Sequence, residues 1–266
     1  QRGAYVSEVA GTELRNVDKR FGGRQVLRNV SLKALPGRRL GIIGPAASGK
    51  SVIAKLWCGL ERPTSGDVFT LGHRLSTLPE LAASQQRARI GMLFQNYALF
   101  DFLSVLDNVT FALQRRGDIP ADEIQDRAAA RLRAVGLAGS EHKFPSQLSG
   151  GMKKRVGIAR ATVAKPELVI YDEPTAGLDP VTTQKVYDLL ASDHAQTGGT
   201  VIAISSDVLA LARFVDDIAF LHDGKIRYLG PAADIENVPD LAVRQFVRGE
   251  QHGPLSQHVP TPAEDA

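Results

Sequence analysis

The chain has 266 residues, of which 43% are hydrophobic and 23% charged, and its formal net charge is +3 at pH 7. This composition is typical of a globular protein with enough chain to bury a core, and the mild charge gives little electrostatic support for a nucleic-acid partner. No apolar stretch reaches the ~18 residues that span a bilayer, and residues 1–10 lack the apolar core of a signal peptide, so we expect any membrane role to go through partner proteins.

The sequence contains one cysteine, Cys58, which excludes an internal disulfide framework. Its neighbours are apolar, which predicts a buried, reduced thiol rather than a reactive one. A cytosolic compartment fits this cysteine usage.

Short β-branched runs alternate with helical patterns along most of the chain. Antiparallel strands are predicted at 12–17 and 30–35, and buried strands at 39–43, 68–71, 168–171, 201–204 and 218–221. Asp223-Gly224 is a tight-hairpin signal before a last strand at 226–229. The alternation predicts an α/β fold with a parallel sheet flanked by helices and with N-terminal antiparallel strands.

Strand signals stop between Gln95 and about Pro166, where helical periodicity takes over. Ile124, Ala128 and Leu132, followed by Val135, are spaced for one face of a helix. We interpret about 96–166 as a helical subdomain inserted in a domain of residues 1–248. Residues 249–266 are too polar to fold alone and form a C-terminal tail.

A phosphate-binding loop is predicted at the first buried strand, because residues 44–51 fit G-x-x-x-x-G-K-[ST] between that strand and a helical pattern at 52–60. The required order of strand, loop and helix argues against a chance glycine turn. Such a loop turns successive N–H groups toward phosphate oxygens, with the lysine on the β- and γ-phosphates of ATP and the last hydroxyl on Mg²⁺. The loop residues are Gly44, Pro45, Ala46, Ala47, Ser48, Gly49, Lys50 and Ser51.

A second phosphate-binding arrangement is predicted at Ser149, Gly150 and Gly151, which precede a helix running to about Lys165. Exposed N–H groups and the positive end of the helix dipole favour an anion there. A helix cap without a ligand is the alternative.

Two adjacent carboxylates, Asp172 and Glu173, end the apolar strand predicted at 168–171. In a phosphate-binding protein, the first carboxylate would hold the Mg²⁺ shell and the second would orient or deprotonate the attacking water. Taken without the phosphate loop, two acids after a strand are more often a helix cap or a loop start.

The set LSGGMKKR, LVIYDEPTAGLDP and GPAASGKS closely resembles the ATPase subunits of ABC transporters, over about residues 12–248. The resemblance implies the P-loop NTPase core of an ABC ATPase. It also implies a head-to-tail homodimer in which Ser149, Gly150 and Gly151 serve the partner's nucleotide, beneath membrane-spanning permease subunits.

The resemblance assigns three further positions. Phe21 matches the aromatic residue that stacks on adenine, with a core aromatic at a strand edge as the alternative. Gln95 matches the glutamine that senses Mg²⁺ and the γ-phosphate, and Asp179 matches the aspartate that crosses the dimer interface. Residues 96–109 match the groove that receives a coupling helix of the permease, with ordinary core as an equal alternative for each side chain.

One position departs from the family pattern, because Ser206 stands where the family usually has a histidine that contacts the γ-phosphate. A serine hydroxyl can donate a hydrogen bond, but it is shorter than an imidazole and cannot carry its charge. The hypothesis is that ATP still binds but is hydrolysed slowly, since losing one preorganised contact costs about 2.7–4 kcal/mol. Glu173 is retained, so we expect an ATPase.

Residues 92–109, the Met-Lys-Lys-Arg after the glycines and the segment 243–249 are similar to the lipid-transport ATPases of the Mla/Mce type. This similarity implies phospholipid transport on the cytoplasmic side of the inner membrane, with permease and Mce-type subunits as partners. It also implies a tail that packs on the dimer partner or is disordered. The alternatives are the ATPase of a nutrient importer and a nucleotide-gated binding module with little turnover.

Overall fold

Two β-sheets organise the chain in the computed structural model, which describes residues 11–114 and 119–256. The strands are β1 (Thr12–Phe21), β2 (Arg24–Ala34), β3 (Arg39–Ile43), β4 (Ser65–Phe69), β5 (Ile90–Leu93), β6 (Leu168–Asp172), β7 (Thr200–Ile204), β8 (Asp217–His222) and β9 (Lys225–Pro231). The helices are α1 (Lys50–Trp57), α2 (Glu80–Arg87), α3 (Val105–Gln114), α4 (Ala121–Ala134), α5 (Gly150–Thr162), α6 (Pro180–Thr197), α7 (Val208–Phe214) and α8 (Leu241–Arg248), with 3₁₀ turns at Leu75–Thr77, Pro145–Gln147 and Ala232–Asn237.

The larger sheet has the order β5-β6-β7-β3-β8-β9, in which β9 is antiparallel to β8 and the other pairings are parallel. Ile204 of β7 pairs with Ile42 of β3 on one side and with Asp172 of β6 on the other. The carboxyl ends of these three strands therefore meet at one edge of the sheet, where ligands bind in α/β folds. The α/β fold with N-terminal antiparallel strands is confirmed.

The strand predicted at 68–71 is wrong in position and in sheet. The structure has β4 at Ser65–Phe69, in a separate antiparallel sheet of order β2-β1-β4, where Leu14 pairs with Val68. The strand ends early because Leu71 adopts a positive φ of 49°. A four-residue apolar run cannot show which sheet it joins.

The sequence interpretation missed β5, which pairs with β6 in parallel. Its apolar run is interrupted by Gly91, which weakens the strand signal. A Cβ at this position would lie 2.0 Å from the carbonyl oxygen of Ala161, so the close approach of α5 requires glycine.

Helices α3, α4 and α5 lie between β5 and β6, within the predicted range of 96–166, and α3 packs against both of the others. The predicted helix face is confirmed, since Ile124, Ala128, Leu132 and Val135 are all buried. Residues 115–118 of this range lie outside the described residues.

Side chains from the two faces of the parallel sheet enter two separate cores. Tyr171 points into the core shared with the helices α3–α5, whereas Ile170 joins the core that contains Trp57 and the antiparallel sheet. This alternation is the period of two that a strand imposes. Cys58 lies in the second core, where burial raises its pKa to about 12, so the predicted buried thiol is confirmed.

The first part of the tail folds onto its own chain. The buried Gln245 side chain donates to the Glu250 carbonyl at 3.1 Å and to the Ser256 hydroxyl at 2.9 Å, and it accepts from the Leu255 N–H at 2.7 Å. Neither predicted alternative, packing on a partner or disorder, included these contacts. Residues 257–266 lie outside the described residues. Within the described ranges, no helix combines the length and apolarity needed to cross a membrane.

Candidate nucleotide site

The loop between β3 and α1 has a backbone that only glycine tolerates at two points. Gly44 has a φ of 149° and Gly49 a φ of 107°, and a Cβ on Gly44 would lie 2.1 Å from the Leu221 carbonyl oxygen. Non-glycine residues rarely adopt such angles. The loop therefore turns back tightly on itself at the carboxyl end of β3. Helix α1 begins directly after it, with its first N–H groups directed toward the concave side of the loop.

The Lys50 side chain lies inside this loop, where its Nζ donates to the carbonyl oxygens of Gly44 and Pro45 at 2.8 Å each. Burial lowers the pKa of Lys50, and the negative charges of Glu173 and Asp172 oppose that shift. The loop lysine and the two predicted carboxylates thus share one electrostatic environment. The buried Ser48 hydroxyl has no hydrogen-bond partner within the described part of the chain, so it is a free donor in the same loop.

Asp172 is an unusual buried carboxylate at the end of β6. Burial raises its pKa, whereas a hydrogen bond with Ser51 and the charges of Lys50 and Lys55 lower it. Its Oδ1 is buried without a partner among the described residues. An orphaned carboxylate oxygen beside a serine hydroxyl fits the oxygen donor set of Mg²⁺, which is commonly bound by one or two protein groups together with substrate phosphates.

Glu173 follows directly in a strained conformation, with a φ of 54°. Its N–H donates to the Ile204 carbonyl at 2.9 Å, which continues the pairing of β6 with β7 for one residue. Its Oε2 accepts hydrogen bonds from both the N–H and the hydroxyl of Ser206, at 3.2 Å each. Ser206, predicted as the substitute for a histidine, therefore contacts the carboxylate predicted to activate water.

The second predicted phosphate site begins α5. Ser149 is the N-cap, and its hydroxyl accepts a hydrogen bond from the Met152 N–H at 3.3 Å. Gly150 is exposed and Gly151 half-buried. Within the described residues, no hydrogen bond or ion pair joins these three positions to the phosphate loop of the same chain, so they stand apart from the cluster around Lys50.

The three positions assigned by resemblance lie at element ends. Phe21 ends β1, is 44% exposed and has the Lys19 Nζ 4.5 Å from its ring centroid, which does not fit a core aromatic. Gln95 is exposed just after β5. Asp179 is the N-cap of α6 and accepts from the N–H groups of Val181 and Thr182 at 3.0 Å each, and the Thr182 hydroxyl lowers its pKa.

The segment 96–109 contains both buried core side chains and exposed side chains that could line a groove, the two alternatives that the sequence left open. Val105 and Val109 are fully buried and belong to the core. Phe102 is 78% exposed and lines an open surface cavity of about 290 Å³ together with Phe100, Leu103, Asp107, Phe111 and Gln114. The aromatic part of the segment thus forms an apolar depression at the surface.

Sequence reasoning missed Lys154, a lysine of α5 that is only 1% exposed and donates to the Ala176 carbonyl. The sequence does contain a signal, because Lys154, Ile158 and Ala161 are spaced by four and three residues and share one buried face of α5. A charged residue at an apolar position of a helix indicates a specific partner.

A tightly curled glycine loop, an internal lysine and a buried strand-end carboxylate define a P-loop nucleotide-binding protein. The family model described as "ABC transporter" matches residues 27–176. The chain is 34% identical to the intermembrane phospholipid transport system ATP-binding protein MlaF of Escherichia coli, over 93% of this chain and 92% of that protein. It is 38% identical to protein TRIGALACTOSYLDIACYLGLYCEROL 3 of Arabidopsis thaliana, over 91% and 75%, and 37% identical to methionine import ATP-binding protein MetN 2 of Lactiplantibacillus plantarum, over 90% and 71%.

A solved structure gives the same result. The dimeric ATP-binding cassette MJ0796, in a post-hydrolysis state bound to ADP and Pi, superposes with a TM-score of 0.77 at 32% identity, covering 83% of this chain and 98% of that one. The chain belongs to the ABC transporter family, as one of its ATP-binding ATPase subunits.

Proposed function

We propose that two copies of this chain bind and hydrolyse Mg-ATP at their shared interface. The phosphates lie on Gly44, Pro45, Ala46, Ala47, Ser48, Gly49 and Lys50, and adenine stacks on Phe21. Mg²⁺ is held by Ser51, Gln95 and Asp172. Glu173 activates the attacking water, Ser149, Gly150 and Gly151 bind the partner's nucleotide, and Asp179 crosses between the copies.

One observation carries the proposal: Lys50, Asp172, Glu173 and Ser206 converge where β3, β6 and β7 end. Lys50 Nζ donates to two loop carbonyls, and from there it can transfer to phosphate oxygens without leaving the loop. Bound Mg²⁺ would supply charge neutralisation for the β- and γ-phosphates. Binding of Mg²⁺ would also give the unpaired Oδ1 of Asp172 a partner, and this gain favours binding of the ion.

The proposed dimer gives a role to the signature residues, which we define as Ser149, Gly150 and Gly151 at the start of α5. Because no hydrogen bond or ion pair joins Ser149, Gly150 or Gly151 to the phosphate loop within the described chain, we place the nucleotide that they bind on the loop of a second copy. The dimeric solved relative supports this assembly. The aromatic depression around Phe102 is where we place a permease subunit, which would hold the dimer at the cytoplasmic side of the inner membrane.

We propose a phospholipid or another lipid as cargo, with Mce-type substrate-binding subunits in the complex. Similarity to a relative named for phospholipid transport supports this cargo. The methionine-import relative, at 37% identity, supports nutrient import as the second candidate. The nucleotide-site residues would serve either transporter, so the cargo must be measured.

The contact between Ser206 and Glu173 bears on turnover. Two donors orient one oxygen of the carboxylate and so favour turnover, but the exposed serine has no imidazole to reach the γ-phosphate. Hydrolysis is therefore slow. In the limiting case, the chain is a nucleotide-gated binding module with little turnover.

Hydrolysis by the complete transporter complex tests the proposed chemistry. Lys50→Ala should reduce ATP retention by roughly 10²-fold, and Glu173→Gln should retain ATP while losing 10²–10⁴-fold in turnover. Equal ATP retention by the parent and Lys50→Ala would refute the phosphate role. Mass spectrometry of lipids and subunits that copurify with the complex tests the cargo, and bound methionine in place of lipid would favour the importer.

A further inference from the structure

Lys154 has surroundings that ordinary packing does not explain. Its side chain is among the largest that are fully buried, with an exposed fraction of 1%. No carboxylate oxygen of the described residues lies within salt-bridge distance of its Nζ. The ammonium instead donates to the Ala176 carbonyl and lies 5.9 Å from the ring centroid of Tyr97. A buried cation without an ion-pair partner is costly, so it must be held by these weaker contacts.

The Ala176 carbonyl belongs to the short segment that joins Glu173 to Asp179. Two turns shape this segment, because the Ala176 N–H donates to the Glu173 carbonyl at 3.4 Å and the Leu178 N–H to the Thr175 carbonyl at 3.1 Å. It contains the proposed catalytic carboxylate at one end and the cap of α6 at the other. A donor that holds the middle of this segment therefore restricts how far either end can move.

Lys154 also lies one helical turn beyond Gly150, on the same face of α5. The two elements also lie close together at this end, since a Cβ built on Gly151 would lie 3.7 Å from the Leu178 side chain. The hydrogen bond from Lys154 to the Ala176 carbonyl thus joins the first turns of α5 to the segment 173–179 where the two elements lie close together. Burial lowers the pKa of Lys154, while the charge of Glu173 raises it, so the lysine and the carboxylate also interact electrostatically.

We propose that Lys154 is a positioning residue that couples the signature end of α5 to the segment bearing Glu173. This inference rests on the proposed function, in which Ser149–Gly151 contact one ATP and Glu173 acts on the other. A shift of α5 against the partner's nucleotide is then transmitted through the Ala176 carbonyl to the carboxylate of its own site. Lys154 touches no reacting atom itself.

The experiment compares Lys154→Met, which retains the aliphatic stem without a donor, with Lys154→Arg, which retains the donor and the charge. In the complete complex, Lys154→Met should lower kcat at least tenfold and bring the Hill coefficient for ATP toward one. ATP affinity of the isolated chain should change less than about twofold, because the phosphate loop is untouched. Lys154→Arg should recover at least half of the parent kcat and its Hill coefficient.

Lys185→Met is the matched control, because it makes the same change at an exposed lysine of α6. It should leave kcat and cooperativity unchanged. A Lys154→Met protein with parental kcat and Hill coefficient would overturn the proposal, as would an equal loss in folded Lys154→Arg. If Glu173→Gln leaves turnover intact, the proposed function itself fails, whatever the Lys154 variants do.

Should Lys154→Met fail to fold, hydrogen exchange on the unaltered chain replaces it. A non-hydrolysable ATP analogue that drives dimerisation should slow exchange in 150–155 and in 174–179 together. Slowing in the first segment alone would contradict the coupling.

Discussion

The hydroxyl and the backbone N–H of Ser206 both donate to the same carboxylate oxygen of Glu173, at 3.2 Å each. The serine therefore orients the carboxylate even though it cannot replace an imidazole at the γ-phosphate. A backbone donor remains after any side-chain change at this position, so Glu173 retains one of its two contacts.

Replacement of Ser206 separates its contribution to the orientation of Glu173 from the effect of the missing γ-phosphate contact. Ser206→Ala should lower kcat by about tenfold, because one hydrogen bond to a charged group is lost, worth roughly 1.5 kcal/mol. Ser206→His should raise kcat above the parent, by up to roughly 10²–10³, if it supplies the missing contact to the transition state. Steady-state ATP hydrolysis measures both, and a histidine variant no faster than the parent would show that the serine does not limit turnover.

Asp172→Asn should stabilise the nucleotide-free protein while abolishing Mg²⁺-dependent hydrolysis. Burial raises the pKa of Asp172, so the folded chain holds this proton more tightly than the unfolded chain does. The ionised carboxylate therefore costs stability once the pH exceeds the unfolded-state pKa, and the cost grows until the pH passes the folded-state value. A neutral amide avoids that cost.

Thermal unfolding without nucleotide measures this effect, and we expect a gain of roughly 1 kcal/mol at about pH 7 that shrinks toward pH 4. Added Mg-ATP should stabilise the parent more than Asp172→Asn. A variant that is less stable than the parent at neutral pH would contradict the assignment of Asp172 as a carboxylate whose burial outweighs its favourable partners.

Gly44→Ala should disrupt the phosphate loop. The new Cβ would lie 2.1 Å from the Leu221 carbonyl oxygen at a φ of 149°, so we expect at least ~2 kcal/mol of destabilisation together with lost ATP binding. Gly23→Ala is the control, since no atom lies within 4 Å of its added Cβ. Denaturant unfolding should show less than about 1 kcal/mol for the control, and equal losses in both variants would contradict the geometry.

Truncation after Gly249 should destabilise the chain by roughly 1–3 kcal/mol, because it removes three partners of the buried Gln245 side chain. Truncation after Ser256 retains all three and should leave monomer stability unchanged. Measuring the dimer dissociation constant of the second variant tests the expectation, implied by the family resemblance, that the tail packs on the partner. An unchanged constant would refute that packing.

The residues that bind phosphate were predictable because each follows from a local pattern. A glycine loop, a lysine and a strand-end carboxylate indicate phosphate binding from the local sequence alone. The strand order then brings Lys50, Asp172 and Glu173 together in the structure. Long periodic segments such as α4 were equally clear.

The features of the fold and site that the sequence did not predict depend on contacts between distant segments. Gly91 concealed β5, since its role is the close approach of Ala161 rather than a strand preference. The sheet membership of β4 depends on pairing with β1, and the partner of Lys154 lies 22 positions away at Ala176. The docking of Leu255 on Gln245 likewise follows from tertiary packing alone.

ATP-dependent dimerisation of Glu173→Gln, followed by light scattering, tests the central claim most directly. With Mg-ATP the chain should form a stable particle of twice the monomer mass, and it should remain monomeric with ADP. Ser149→Glu in the same background should bind ATP normally and fail to dimerise, because a carboxylate would meet the partner's phosphates. A Glu173→Gln chain that binds Mg-ATP yet stays monomeric would contradict the shared nucleotide site.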